Sequence, residues 1–353
     1  MKIKTGALLA AVLAAACALL IFPAQAAQGA KNGVGYSLNI LVPSLYPFMA
    51  LSVFVVKSGL AERIGSALEK PTRALFRLPG AAAASVLMSA VGGFPSGARS
   101  AAALYEAGIV TRAQAERMMC FCVNAGPSFV ITAVGVGFLR NAQAGAVLFA
   151  SQTASFLAMG ILSGIFSGKG AEAPARRRKK PPAGTAQALI ESAADAAYST
   201  LMMCCLVILF AAMMNLLRMA AAAPGLSVFL SALLEVTGGC ADLARYGAPL
   251  WAIAFAIGWS GVCVHMQVLS CLGGIPIRKA RFALCRAAQG AVSAAVCFGL
   301  TALFPQSAET FGNFSGPVTG AFSNSVPSAA ALAVLCAALL FCMPHEKLEI
   351  EER

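Results

Sequence analysis

The chain has 353 residues, 59% of them hydrophobic and only 11% charged, with 26 Lys and Arg against 14 Asp and Glu for a net charge of +12. An ordinary soluble domain is about 25% charged, so this chain has too few charges to cover a soluble globule of its length. That sets aside soluble enzyme folds, nucleic-acid-binding modules and disulfide-stapled secreted domains. The apolar residues fall in blocks of bilayer-spanning length, which predicts an all-α polytopic membrane protein.

Residues 6–22 form the first apolar block, behind Lys2 and Lys4. The following Pro23-Ala-Gln-Ala-Ala27 resembles a signal-peptidase site, although a retained first span fits the later blocks better. Residues 36–56 follow, interrupted by Pro43 and Pro47. Residues 61–78 mix Glu62, Arg63, Glu69, Lys70, Arg73 and Arg77 with Ile64, Leu68, Leu75 and Phe76. That mixture predicts an amphipathic helix on the membrane surface.

Residues 80–104 are apolar but broken by Gly92-Gly-Phe-Pro-Ser-Gly97, and 118–139 contain Asn124-Ala-Gly-Pro127. Residues 142–166 read as a plain span. The run Arg176-Arg-Arg-Lys-Lys180, with Pro181 and Pro182, marks a linker between two halves. After it come a span at 198–217, a shorter apolar piece at 226–240 ending in Glu235-Val-Thr-Gly-Gly239, and a block at 249–272 holding His265 and Gln267. Spans at 282–304 and 326–343 precede a polar tail.

Charge placement then predicts topology. Basic residues concentrate in cytoplasmic connections of membrane proteins. If 80–104 and 226–240 each dip in and return, the amino terminus, the basic linker and Arg278, Lys279 and Arg281 all lie inside. Only Lys31, Arg140, Arg218 and Arg245 are then left outside. The expected fold is about eight spans plus two re-entrant or broken helices in two pseudo-repeated halves. Its segments are 1–35 (first span and connection), 36–167 (first half, re-entrant near 80–104), 168–197 (basic cytoplasmic linker), 198–345 (second half, broken near 226–240) and 346–353 (polar tail).

Broken backbone at membrane depth leaves unpaired amides and carbonyls, and persists only when buried in protein or lining a wet cavity. Interrupted segments at matching positions of two halves point to a transporter's central site. The candidate solute-binding residues are Arg99, Ser96, Gly97, Asn124, Glu235, Thr237, His265 and Gln267. Arg99 follows the first break and fits either a carboxylate clamp or a structural pair with Glu235. Glu235 itself suits proton coupling, cation binding or that pair. His265 with Gln267, and Asn124 with Ser128, fit either solute contacts or hydrogen-bonded structure. Arg286 reads as an anchor near a membrane end. The 12 cysteines sit almost wholly in apolar blocks without a CxxC pair, as reduced, structural thiols. Nothing calls for a metal, a cofactor or a catalytic residue: HExxH and GxSxG are absent, and Gly92–Gly97 lacks the Lys of a phosphate loop.

Several segments occur in an order that resembles one family. They are Pro43-Ser-Leu-Tyr-Pro-Phe48, Gly92-Gly-Phe-Pro-Ser-Gly-Ala98, Asn124-Ala-Gly-Pro127, Gly135-Val-Gly-Phe138, Leu234-Glu-Val-Thr-Gly238 and Gly261-Val-Cys-Val-His-Met-Gln267. Together they resemble the sporulation integral membrane protein family (YlbJ/SpoVV type) over roughly residues 5–345. Its Gate domain is shared with nucleoside transporters and the ferrous-iron transporter B. The resemblance implies transport of dipicolinic acid out of the mother cell across the outer forespore membrane. It also implies a retained first span, and a planar dianion suited to Arg99 and two helix amino termini. Nucleoside or other organic-anion transport, and a scaffold for a sporulation complex, are the alternatives. The expected partners are the lipid bilayer, a small anionic solute and a possible second copy or sporulation membrane protein, with no nucleic acid.

Overall fold

The computed structural model describes residues 2–167, 184–220, 224–272, 275 and 277–303. The basic run at 176–180, the connection at 305–325, the span at 326–343 and the tail lie outside the described residues. The described residues are helical, without strands. α1 (Lys2–Ile21) meets α2 (Pro23–Tyr36) at a bend of 99°. Residues 23–35, expected as a connection, are therefore helical. α2 continues through a π-helical turn, π1 (Ser37–Leu41), into α3 (Val42–Lys57). Pro43 and Pro47 have no amide proton to give to the preceding turn, and a wider turn accommodates the gap.

The helical run 23–57 lies antiparallel along α10 (Thr185–Ala220), with α4 (Leu60–Ala67), α5 (Glu69–Phe76), α6 (Ala82–Gly92), α7 (Phe94–Glu106), α8 (Arg112–Met119), π2 (Ser128–Phe138) and α9 (Ala142–Ile165) between them in sequence. A Cβ on Gly29 would fall 2.8 Å from Ala212 Cα, and one on Gly33 2.7 Å from Ile208 Cα. Further along, Thr200 donates to Met49 Sδ at 3.8 Å and Lys57 pairs with Asp195 at 3.0 Å. Residues 185–197, expected within the linker, thus form the first turns of α10. Alanine, Gln and Glu favour helix there, and Glu191 and Asp195 find Lys57 across the groove. The surface helix expected at 61–78 is instead two short helices jointed at Leu68. They bury Ala61, Gly65, Thr72 and Phe76 against the bundle.

Two hairpins follow from the two breaks. In the first, Ser85 on α6 hydrogen-bonds Ser100 on α7 at 2.8 Å, and a Cβ on Gly97 would lie 2.5 Å from Ser89 Cβ. The helices therefore run side by side from a tip at Gly93, whose φ of +85° only glycine adopts cheaply. In the second, α11 (Pro224–Leu234) and α12 (Val236–Tyr246) fold back at Glu235. There a Cβ on Gly239 would lie 2.5 Å from Ala232 Cα, and Gly225 approaches Tyr246. The base of the first hairpin joins Glu106, Arg99, Asp195 and Lys57 in one ion cluster. The base of the second lies beside Arg218, at the opposite end of α10. The hairpins enter the bundle from opposite ends, and their tips meet inside.

Each tip abuts a second break. Residues 120–127 separate α8 from π2, so 118–139 is not one span. Ser260 and Gly261, at φ +76° and +74°, separate α13 (Leu250–Trp259) from α14 (Gly261–Ser270). α15 (Lys279–Leu303) packs on α9 and α13. The order hairpin, broken helix, long helix therefore occurs twice, ending once in α9 and once in α15. α7 packs against α14 and α12 against π2, so each hairpin touches the broken helix that follows the other.

Four described helical stretches are long and apolar enough to cross a bilayer: Ala142–Ile165, Thr185–Met219, Leu250–Ser270 and Lys279–Leu303. The number is six if each of two bent pairs is one span. The expected eight included 326–343, outside the described residues, and 118–139, which the structure divides.

Arg286 corrects the sequence reading. It is no interfacial anchor; it is fully buried, on the inner face of α15. Its guanidinium donates to the carbonyls of Val123 and Gly258 and, at 2.9 Å, to Gln289 Oε1. Gln289 passes the chain on, donating to Asn124 Oδ1 at 2.6 Å, and Asn124 donates to Ser89 Oγ at 2.5 Å. One side chain therefore ties both broken helices and, through two amides, the first hairpin. Gln152 on α9 makes a parallel bridge, donating to Ala254 O at 2.9 Å and Ser293 Oγ at 2.8 Å.

Removing Arg286 would orphan buried acceptors, each costing about 1–3 kcal/mol. Arg286→Met is expected to abolish folded protein or to lower its detergent melting temperature sharply, and Arg286→Lys to rescue only in part, because one ammonium cannot span both carbonyls. Thermal-shift and size-exclusion profiles check this; a wild-type profile for Arg286→Met refutes it. A second comparison lies within α15. A Cβ on Gly290 would sit 3.0 Å from Phe255 O, whereas nothing lies within 4 Å of one on Gly299. Gly290→Ala should destabilise by about 1–3 kcal/mol of overpacking. Gly299→Ala should be neutral or stabilising by up to ~1 kcal/mol of helix propensity.

Candidate functional site between two hairpin tips

The first tip is built by sequence with little freedom. Pro95 opens α7, and Ser96 turns back to donate to Gly92 O at 2.9 Å. The tip rests on the 120–127 break, where a Cβ on Gly126 would meet Gly93 N at 3.1 Å. No side chain caps α7, so its amino terminus stays open.

The second tip is closed by its own carboxylate. Glu235 is extended (φ −142°, ψ 120°) and serves as the N-cap of α12. Its Oε1 accepts from the Thr237 N–H at 2.8 Å and its Oε2 from the Gly238 N–H at 2.6 Å. Those amides and the helix dipole form an anion cradle, and Glu235 occupies it. The tip lies on the Ser260–Gly261 break, where a Cβ on Gly261 would fall 3.1 Å from Glu235 Cα.

Between the tips is a cavity of about 30 Å³, bordered by Gly93, Pro95, Gly126, Glu235, Thr237 and Gln267 among apolar neighbours. That is room for one or two waters. A solute enters only if a tip moves. The polar equipment around it is one carboxylate, one amide, one hydroxyl and one uncapped helix amino terminus. Among the described residues no three His, Cys, Asp or Glu side chains converge to hold a metal.

The expected residues therefore divide. Glu235, Thr237 and Gln267 border the cavity. Ser96, Gly97 and Asn124 lie beneath the first tip, where they set its packing: Gly97 is pressed against Ser89 and the Cys122 carbonyl, and Asn124 belongs to the Arg286 chain. Arg99 does not border the cavity and does not pair with Glu235. It lies well over a turn beyond the tip, on the face towards α10, bonded to Glu106 at 2.9 Å and Asp195 at 3.1 Å. His265 is two residues from Gln267, about 200° around the helix, and so faces away. It packs between Trp259, tilted at 4.5 Å, and Phe282, edge-on at 5.1 Å, with Nδ1 against Gly261 O at 2.6 Å.

Sequence reading missed the residues around the base of the second hairpin. Arg218 and Arg245, which the charge pattern expects outside the membrane, both pair with Asp242, at 2.5 and 3.4 Å. An i, i+3 Asp242–Arg245 spacing on α12 was the available signal. The Arg218 contact, 24 residues away, was not.

No family model matches the chain, and no solved structure matches it. Among curated proteins it is similar to the sporulation integral membrane protein YlbJ of Bacillus subtilis (strain 168), 31% identical over 160 residues. The aligned stretch covers 45% of this chain and 39% of that relative, so the match spans well under half of the relative's length. That relative and the apolar helices together support a multi-pass membrane protein with a counterpart in sporulation.

Proposed function

We propose that this chain is a solute transporter of a sporulating cell, moving a small organic anion by alternating access around the cavity between the two hairpin tips. The observation that carries the reading is the meeting of two hairpins, entering from opposite ends, at one partly polar cavity that touches both broken helices. Such an arrangement lets either tip withdraw while the other stays seated. Dipicolinate is the solute we favour, moving out of the mother cell across the outer forespore membrane, with the amino terminus and the basic linker in the cytoplasm. Its carboxylates suit helix amino termini of the kind that α12 already uses to hold Glu235. Nucleosides or another organic anion would meet the same cavity. A scaffold reading draws on the small volume of the cavity and on the polar ties that lock the breaks together.

Uptake of labelled dipicolinate into proteoliposomes separates these readings. Expected is protein-dependent, saturable flux, with Thr237→Val and Gln267→Leu each raising half-saturation about tenfold, equivalent to about 1.4 kcal/mol. Arg99→Ala should instead lower the yield of folded protein and leave half-saturation unchanged, because Arg99 holds Glu106 and Asp195 rather than the cavity. Flux of nucleosides without dipicolinate would replace the solute. No flux of any small anion or nucleoside by folded, oriented protein would favour the scaffold.

A further inference from the structure

The second hairpin carries more polar space than the cavity at its tip needs. At its base, Arg218, Ser227, Asp242 and Arg245 border an open pocket of about 330 Å³. Behind this lies a smaller, polar chamber of about 40 Å³, bordered by Asn32, Tyr36, Asn215, Arg218, Ser231 and Glu235. Glu235 also borders the cavity between the tips. The three spaces follow one another by shared lining residues: Arg218 borders both the first and the second, and Glu235 both the second and the third. Ser231 borders the middle chamber, and its Oγ is fully buried with no hydrogen-bond partner among the described residues, an unsatisfied polar group at that point of the series.

Charge along the series is ordered. Two guanidiniums share the single Asp242 carboxylate, which leaves the mouth one positive charge in excess. Arg218 is partly exposed, while Asp242 is buried beneath it. A carboxylate arriving from that end competes with Asp242 for Arg218 without stripping it of a counter-ion. Beyond Arg218 the passage offers neutral donors and acceptors, until Glu235, seated on the amides of Thr237 and Gly238, closes it.

We infer that the second hairpin forms the polar access route between the Arg218 end of the bundle and the cavity, with Arg218 as its anion-selecting residue and Glu235 as its inner closure. The route rests on the transport reading only for the identity of the solute; the passage and its charge preference are tested without any solute.

The test is thiol labelling of single introduced cysteines in the full-length protein, read residue by residue by peptide mapping so that native cysteines do not interfere. Ser227→Cys reports the mouth, Ser231→Cys the middle chamber and Ser100→Cys, buried in the first hairpin, the background. Anionic and cationic methanethiosulfonates are applied from the Arg218 side. Expected is labelling at Ser227→Cys and, more slowly, at Ser231→Cys, with the anionic reagent preferred at Ser231→Cys and no labelling at Ser100→Cys. Adding Arg218→Gln should cut that preference at least tenfold, while Arg218→Lys keeps it and guards against misfolding. An unlabelled Ser231→Cys beside a labelled Ser227→Cys, or labelling only from the opposite side, overturns the route. An unchanged preference in Arg218→Gln overturns the role of Arg218. Labelling as expected without dipicolinate flux would keep the route and remove the transport reading, whereas flux without labelling at Ser231→Cys would do the reverse.

Discussion

A helix interrupted inside a membrane leaves carbonyls with no partner, and two interrupted helices packed together double the problem. Arg286 solves it once for both. Its planar, multi-donor head reaches Val123 on one break and Gly258 on the other, with Gln289 filling a third direction. Its contacts among the described residues are carbonyl and amide oxygens rather than a carboxylate. The carboxyl-terminal turn of α13 supplies part of the counter-field through Gly258, and Val123 adds a carbonyl from the irregular 120–127 segment. This is a charge placed where backbone dipoles, not a side-chain ion, offset its desolvation. Without it the two breaks would lack a common support, and the hairpin tips that rest on them would lose their seats.

Glycine does the complementary work. The tips approach their seats closely because Gly93, Gly126 and Gly261 carry no side chain, and α13 lies on α15 at Gly258 and Gly290 for the same reason. The bundle core is therefore fixed by small residues and a buried polar chain, while the tips are held by backbone proximity and one carboxylate. A partition of that kind places the stiffness beneath the cavity and leaves the softer contacts at its rim. The two ends of α10 add a second asymmetry, with Lys57, Arg99, Glu106, Glu191 and Asp195 at one end and Arg218 with Asp242 at the other. Each hairpin is thus pinned by ion pairs towards its base, while Glu235 at the second tip is held by backbone amides, with Arg218 bordering the same small chamber.

Composition and local pattern carry the helical class, the apolar spans and the two hairpin breaks, at Gly92–Gly97 and at Glu235, but not the breaks at Leu68 and at Ser260–Gly261. Hydrophobic blocks, Gly93 and the Glu235-Val-Thr-Gly run are local signals, and local backbone preference decides them. The sequence also singled out Glu235, Thr237 and Gln267, because polar side chains inside apolar blocks stand out at any position. What each polar residue faces was decided only by tertiary structure. Arg286 lies near a basic segment and reads as an anchor, yet its partners come from residues 163 and 28 positions away. Arg99 and His265 sit as close in sequence to the breaks as the cavity residues do. Helical phase and the placement of α10, Trp259 and Phe282 turn them elsewhere. Asp195 looked like linker because charge ends an apolar run, and only the antiparallel packing of α3 on α10 shows why a charge belongs there. Spacing along one helix fixes what is broken and what is polar. The meeting of segments a hundred or more residues apart fixes which of those groups support the fold and which border the cavity.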